Sequence, residues 1–505
     1  LIETGRLKTN TYGRKARRTR PVWKVDKIGT SARFSSYVDS FQNAFCAVLE
    51  RVFYHEIEGK FQIPYAPSYG DVCALLKPFW RSYKPLIQPA TPVTLELYPY
   101  AYSGRRFKLY QRAASNVLLR GVRVKDSYLQ SFIKHEKILE SSKRTVARLI
   151  QPRTPEYNVS VGRYIRHLEH TIFHTVDTIF GSPTIMKGYN AFKVGQVFHK
   201  AWASFREPVG VGLDASRFDQ HISKACLQWE HRVYQNYYPG NKQLAQLLTW
   251  QLNNKGVIRS PDGNIWYHTE GTRCSGDMNT SLGNCVLMTA ALYSYAASLG
   301  LKPGYGRLVA LNNGDDCMVI LERVDVARFV SGIPSFFKAL GFVMKVEQPC
   351  DKLEQLSFCQ TQPVYDGHFW RMVRNPHVSL SKDATILDHR HATNDLSAQL
   401  FAIGECGLAL TSGIPVLQSY YLAMQRGNST RGHVDPRFFE SGMYHLSCGC
   451  RKEIREISVS ARVSFYNAFG IVPDQQIEVE SYYDSLDKLG TDGVHHGAEA
   501  CILLR

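Results

Sequence analysis

Several things are missing from this sequence of 505 residues, and each absence narrows what it can be. No apolar run reaches the ~18 residues that a membrane-spanning helix needs. The nearest stretch, 285–299, is interrupted by Thr289, Ser294 and Ser298. No anchor of its own is therefore expected, and any membrane attachment has to be borrowed. The N-terminus carries no secretory signal and the 12 cysteines fall without regular spacing. A disulfide framework is thus not expected, and a reducing, cytosolic setting follows. No internal repeat is present, which excludes solenoids. Acidic residues are scarce: 44 Asp and Glu face 61 Lys and Arg, a net charge of +17. Such a balance attracts polyanions, nucleic acid first among them, although a merely soluble basic protein has the same balance.

What is present is ordinary globular material, 44% apolar and 12% aromatic, enough for about two to four lobes around a large interior. The first 33 residues hold ten Lys or Arg against Glu3 and Asp26 alone. They read as a flexible basic arm that either contacts nucleic-acid phosphates or serves as a solvated linker. The chain begins at Leu1 rather than Met, so it is expected to be cut from, or to continue, a longer polypeptide. Near the other end, Asp474 to Asp492 is acidic and expected at the surface or against a partner. Prolines from Pro64 to Pro99 predict extended connections, and the region beyond Asn394 reads as mostly helical.

Three segments carry the chemistry. In RLVALNNGDDCMVILE, 307–322, two apolar runs flank an Asn313-Gly314 turn signal, so a buried hairpin is predicted with Asp315 and Asp316 at its tip. Charges beside buried strands are costly unless a cation neutralises them. In PVGVGLDASRFDQHIS, 208–223, Val209, Val211 and Leu213 alternate as a strand that delivers Asp214, and Asp219 follows at a turn into a helix. In CSGDMNTSLGNCVLMT, 274–289, Ser275 and Gly276 open a small-residue loop suited to close approach by a ligand. Thr280 and Asn284 then share one helix face. Each segment alone reads equally as a turn acid, a helix cap or a capped core helix; together, spaced 61 and 40 residues apart from Asp214 to Ser275 to Asp315, they do not.

DASRFDQH, SGDMNTSLGN and NNGDD, in that order, resemble motifs A, B and C of right-hand polymerases. More narrowly they resemble the RNA-dependent RNA polymerases of positive-strand RNA viruses of the tombusvirus family, carmoviruses and dianthoviruses above all. FIKHEK with ARLIQPRTPEYNVSVGRYIRHLEH is similar to that family's basic motif F, LGFVMKVE to motif D, and LSFCQTQPVYDG to motif E, so specific motifs cover about residues 130 to 370.

The resemblance implies an α+β fold: a closed right hand of fingers, palm and thumb, with a ferredoxin-like antiparallel palm sheet and a mostly helical thumb. The expected divisions are a basic arm (1–35), an N-terminal extension and fingers leading into the palm (36–205, motif F at 132–153), palm (206–226), a fingers insertion (227–267), palm again (268–370) and thumb with tail (371–505). It implies two Mg²⁺ ions, or Mn²⁺ in their place, on Asp214 and Asp315 with Asp316 assisting. Lys134, Lys137, Arg148 and Arg153 would clamp the triphosphate of an incoming NTP, Lys345 would protonate pyrophosphate, and Asp219 with Thr280 and Asn284 would pair with the ribose 2′-hydroxyl, next to Ser275 and Gly276. Template and product RNA are the implied partners. An auxiliary replication protein or upstream replicase region would supply an indirect link to host membranes, in replication complexes in the cytoplasm. A reverse transcriptase or DNA polymerase, and a non-catalytic nucleic-acid-binding or packaging protein, are the rival classes. The first lacks support in the bulky aromatic and Tyr-x-Asp-Asp signature absent here, and the second leaves the acidic segments unused. His167, His170 and His174 on one helix face, and His445 with Cys448 and Cys450, are read as structural rather than as metal ligands.

Overall fold

The computed structural model describes residues 6–13, 22–28, 30–140, 146–387, 396–432 and 434–495. Its centre follows from the near-continuous apolar character of three strands. Pro208–Ala215, Leu308–Asn313 and Asp316–Glu322 bury almost every side chain, which requires cover on both faces of their sheet. Four strands pair antiparallel in the order Leu308–Asn313, Asp316–Glu322, Pro208–Ala215, Met344–Val346. Val211, Leu213, Ala310 and Val319 enter one core, shared with the helices Thr280–Ser298 and Arg323–Ala339. Val309, Leu311, Met318 and Ile320 enter a second, shared with the helix Ala191–Trp202. With the 216–279 segment set aside, the succession strand, helix, strand, strand, helix, strand is ferredoxin-like.

A second, five-stranded sheet runs in the order Leu7–Thr11, Gly263–Glu270, Asn253–Ser260, Leu129–Ile133, Leu149–Ile150. Its inner face carries Leu129, Ile133, Ile258 and Ile265 onto the helix Phe41–Val48. The C-terminal third is helical, as its composition predicts, and closes around Leu408, Tyr420, Phe465 and Tyr483. Among the described residues no helix is long and apolar enough to cross a membrane.

Two expectations change. The basic run Arg14–Arg20 lies outside the described residues, but its flanks are not a free arm. Leu7–Thr11 is an edge strand of the five-stranded sheet, and Val22–Val25 lies between Thr385–Leu387 and Thr491–His495 of the C-terminal lobe. Val22 and Val25, each 1% exposed, supply the burial that a charge count overlooks. The presumed insertion 227–267 is also divided. Trp229, Val233 and Tyr234 of the helix Lys224–Tyr237 belong to the core beneath the Asp214 sheet, and only the hairpin from Asn253 onward joins the five-stranded sheet.

Arg153 is a third correction. Rather than reaching for phosphate, its enclosed guanidinium donates from Nε to Asp277 Oδ1 (2.5 Å) and from Nη2 to Asp277 Oδ2 (3.1 Å) and Asn254 Oδ1 (2.7 Å). Its Nη1 donates to the Ser127 carbonyl (2.6 Å). The buried carboxylate of Asp277, three residues into the small-residue loop, claims a cation that sequence alone presents as free.

Removing one member of such a pair strands the other, so Arg153→Ala should cost about 3–5 kcal/mol of stability in urea titration, with the loss in folding rather than selectively in NTP KM. Buried His55 and His231 are both lowered from 6.5 to about 4, chiefly by burial. The unfolded chain therefore binds protons that the native one refuses. This contribution is complete above about pH 6.5 and is lost as pH falls toward about 4. The thermal midpoint should fall through that window, and less steeply in His55→Gln, by scanning calorimetry.

Candidate active site

The hairpin closes with Asn313 opposite Asp316, so the turn residues are Gly314 and Asp315, one position later than the sequence signal. Gly314 takes φ +89° at the first central position, as a tight hairpin of this kind demands. Asn312 pins the turn: its Oδ1 accepts from Gly314 N–H (3.1 Å) and its Nδ2 donates to the Gly314 carbonyl (2.8 Å). Asp316 is thus a strand residue rather than a tip residue. Asp214 lies opposite it on the next strand, and Lys345 lies opposite Asp214 on the strand beyond. Directly opposed residues share a face, so Asp316, Asp214 and Lys345 form one row at the sheet edge, with Asp315 in the turn beside it.

These acids sense one another. Burial holds Asp315 above the ordinary carboxylate range, and the negative charges of Asp219 and Asp214 push the same way. Asp316 is raised by burial, then by Asp315 and Asp214. Glu347, which the motif reading passed over, is raised by burial, Asp214 and Asp316. Its carboxylate lies over Gly212, where a Cβ would stand 2.1 Å from Oε2. The signal for it was the period of two from Lys345. Among the described residues, no three acidic, His or Cys side chains converge as a ready-made metal cage. Two bare carboxylates at ~4 Å repel by about 4 kcal/mol at an effective dielectric near 20, a reason for them to splay until a cation draws them in.

A second group surrounds Asp219. Asn284 Nδ2 donates to Asp219 Oδ1 (2.8 Å) and the Ser275 hydroxyl donates to Asp219 Oδ2. The Asn284 amide is oriented from behind, where Arg273 Nε donates to its Oδ1 (3.0 Å) while the rest of that guanidinium pairs with Glu230, both side chains wholly buried. Tyr234 and Asn279 donate to the same Glu230 (2.7 and 2.8 Å). Thr280 is turned to local use, its hydroxyl donating to the Cys274 carbonyl (3.0 Å). Gly276, at φ +134°, does allow a close approach, but to this chain's own backbone: a Cβ there would stand 3.0 Å from Pro152 N. The turn bearing Asp219 is gripped from below, with Arg217, at φ +47°, donating to the Glu50 carbonyl (2.6 Å) and Gln220 to that of Tyr54 (2.8 Å).

Of the expected cations, Lys134 and Arg148 stand together, the Lys134 N–H donating to the Arg148 carbonyl (2.8 Å). Both side chains pair with Glu136, and Arg148 lies within electrostatic reach of Asp315. Lys137 departs from them. Its Nζ donates to the Lys382 carbonyl (2.5 Å) on the wall of a cavity of about 540 Å³, and burial lowers it to about 8. Lys187 is a cation that no sequence motif singles out. The bridge between Ile185 and Asn312 carries its loop alongside the hairpin, and its charge acts on both Asp315 and Asp316. His167 lies 3.2 Å from the Tyr238 hydroxyl, and Cys450 donates to the Leu446 carbonyl (3.5 Å).

Comparison with known proteins bears on this arrangement. The family model described as viral RNA dependent RNA polymerase matches residues 8–489. A protein named RNA-directed RNA polymerase from Turnip crinkle virus is 39% identical over 478 residues, 94% of this chain and 60% of its own length. The polymerase so named from Tobacco necrosis virus (strain A) is 40% identical over 477 residues, 94% of this chain and 65% of that one. That from Maize chlorotic mottle virus is 38% identical over 494 residues, 97% of this chain and 51% of the relative. The chain thus spans about half to two-thirds of the length of these relatives. By a match covering nearly its whole length, it belongs to the viral RNA-dependent RNA polymerase family.

Proposed function

We propose that this chain copies an RNA template into RNA, joining NTPs to an RNA 3′-hydroxyl during replication of a positive-strand viral genome. The observation that carries this reading is the shared face of Asp214 and Asp316 beside Asp315, with the Asp219–Asn284 pair adjoining it. Residues 206–226 and 268–370, with the core-packed 227–252, would be the palm, 36–205 with the 253–267 hairpin the fingers, and 371–505 the thumb. Clustered, partly desolvated carboxylates that raise one another suit hard divalent cations. Two Mg²⁺ ions on Asp214 and Asp315, with Asp316 alongside, would activate the 3′-hydroxyl and stabilise departing pyrophosphate.

The chain's own residues do the rest. Arg148 and Lys134 neutralise the triphosphate, exchanging Glu136 for phosphate oxygens. Lys345, exposed and opposite Asp214, donates a proton toward pyrophosphate. Asn284 holds Asp219 with open acceptor capacity for a ribose 2′-hydroxyl, a group DNA precursors lack. Because Arg273 only donates and Asp219 only accepts, the Asn284 amide has one satisfactory orientation. The site of action would be cytoplasmic membranes of the host, reached through an auxiliary replication protein or an upstream replicase region.

In a primer-extension assay with labelled NTPs and Mg²⁺, Asp315→Asn should lose at least a thousandfold in incorporation with an unchanged urea midpoint. Synthesis within tenfold of the parent would sink the proposed assignment. Asn284→Ala should lower the ratio of rNTP to dNTP kcat/KM by about tenfold or more, the effect of releasing one charge-assisted hydrogen bond. An unchanged ratio in parallel rNTP and dNTP assays would remove Asn284 from sugar selection.

A further inference from the structure

Most cations around the acids are already claimed. Arg148 and Lys134 pair with Glu136, Arg153 with Asp277 and Arg273 with Glu230. Lys187 is different. It is half-buried, yet its ammonium forms no ion pair or hydrogen bond with any of the described residues. Glu169, on the helix Leu168–Phe180, is likewise half-buried and likewise makes no ion pair or hydrogen bond among them. Partly desolvated charges are costly when unpaired, so two of opposite sign left apart require a reason.

Backbone contacts fix where Lys187 starts from. Asp177 Oδ1 accepts from the N–H groups of Thr184 (2.8 Å) and Ile185 (3.2 Å). Asn312 N–H donates to the Thr184 carbonyl (2.7 Å), and Met186 N–H donates to the Asn312 carbonyl (2.9 Å). Ile185 lies opposite Asn312 in parallel register, so two residues on, Lys187 comes level with Gly314 in the hairpin turn. Burial raises Asp315 and Asp316, and the Lys187 charge opposes this at both, at Asp315 more strongly than Asp214 reinforces it. Glu169 is raised by burial too, with Arg166 and then Lys187 opposing. The same charge acts on Cys285, in the helix that carries Asn284, and on Cys359 across the turn. Lys187 thus stands between Glu169 and the hairpin acids, in contact with neither.

We infer that Lys187 is a counter-ion shared between the hairpin acids and Glu169, and that it sets how tightly those acids take up a divalent cation. The inference rests on the reading that Asp214, Asp315 and Asp316 hold metal. An ammonium near the acids offsets their mutual repulsion and competes with a divalent cation for the same charge. Lysine carries its charge on a flexible four-carbon stem, so Lys187 can pass to Glu169 without backbone movement when metal is taken up. Lys187 touches neither RNA nor NTP in this role, and is a positioning residue.

The test is Mn²⁺ binding to the full chain, read by electron paramagnetic resonance without RNA or NTP. Lys187→Met should bind Mn²⁺ about fivefold or more tightly, because the competing charge is gone, and Lys187→Arg should stay within about twofold of the parent. Glu169→Gln should bind about threefold or more weakly, since Lys187 then has only the hairpin acids to turn to. Glu169→Gln should change nothing further in Lys187→Met, because it acts through Lys187. Mn²⁺ affinity within twofold of the parent in Lys187→Met overturns the inference. So does a Glu169→Gln effect of equal size with and without Lys187, or a loss of RNA affinity in Lys187→Met beside unchanged Mn²⁺ binding. Asp315→Asn separates this from the metal reading. Parent Mn²⁺ binding that survives Asp315→Asn sinks that reading and this inference with it, whereas binding that needs Asp315 but ignores Lys187 sinks this inference alone.

Discussion

Everything at the candidate site depends on a sheet that is apolar on both faces and therefore has room for charge only at its edge. Val211 and Leu213 face one core, and Met318 and Ile320 the other. Asp214 and Asp316 occur where the strands run out, and Asp315 occupies the turn. Burial on both sides makes the strands rigid and removes water from the flanks of the acids. Both effects raise the free energy of uncompensated negative charge there. The same rigidity fixes the spacing of Asp316, Asp214 and Lys345, since register and not side-chain flexibility sets it.

Around this edge, positioning passes inward through buried polar contacts. Glu230 holds Arg273, Arg273 holds Asn284, and Asn284 with Ser275 holds Asp219. A buried pair of this kind is weak evidence for stability but effective for orientation, because each partner accepts only one satisfactory geometry. Arg153 plays the same part under the Ser275–Gly276 loop, tying Asp277 to Asn254 and Ser127. The N-terminal segment works at larger scale. One of its strands closes the edge of the five-stranded sheet and another is enclosed in the C-terminal lobe, so two lobes share one short stretch of chain. Lys8 thereby gains a defined address on the sheet, opposite Trp266.

How much of this was legible can be judged residue by residue. The hairpin, the Asp214 strand and the helix with Asn284 were readable because local pattern and tertiary environment agree: apolar runs, a turn pair, a period of four. The hairpin turn was misplaced by one residue, because Asn313-Gly314 is a strong turn signal by composition whereas the ladder extends through Asn313. Arg153 and Lys137 resembled their neighbours Arg148 and Lys134 in charge and spacing, and differ only in what the fold encloses around them. Lys187 and the partners of Glu230 lie far from the motifs in sequence, so no local pattern could announce them.

The sequence by itself determined which chemistry was present, because carboxylates, small residues and apolar strands in one order are properties of the chain alone. Tertiary structure decided which charges are free to act. A cation's availability depends on whether a distant carboxylate or carbonyl has already claimed it. Burial then sets the cost of leaving it unclaimed, and both are settled only when remote segments pack together.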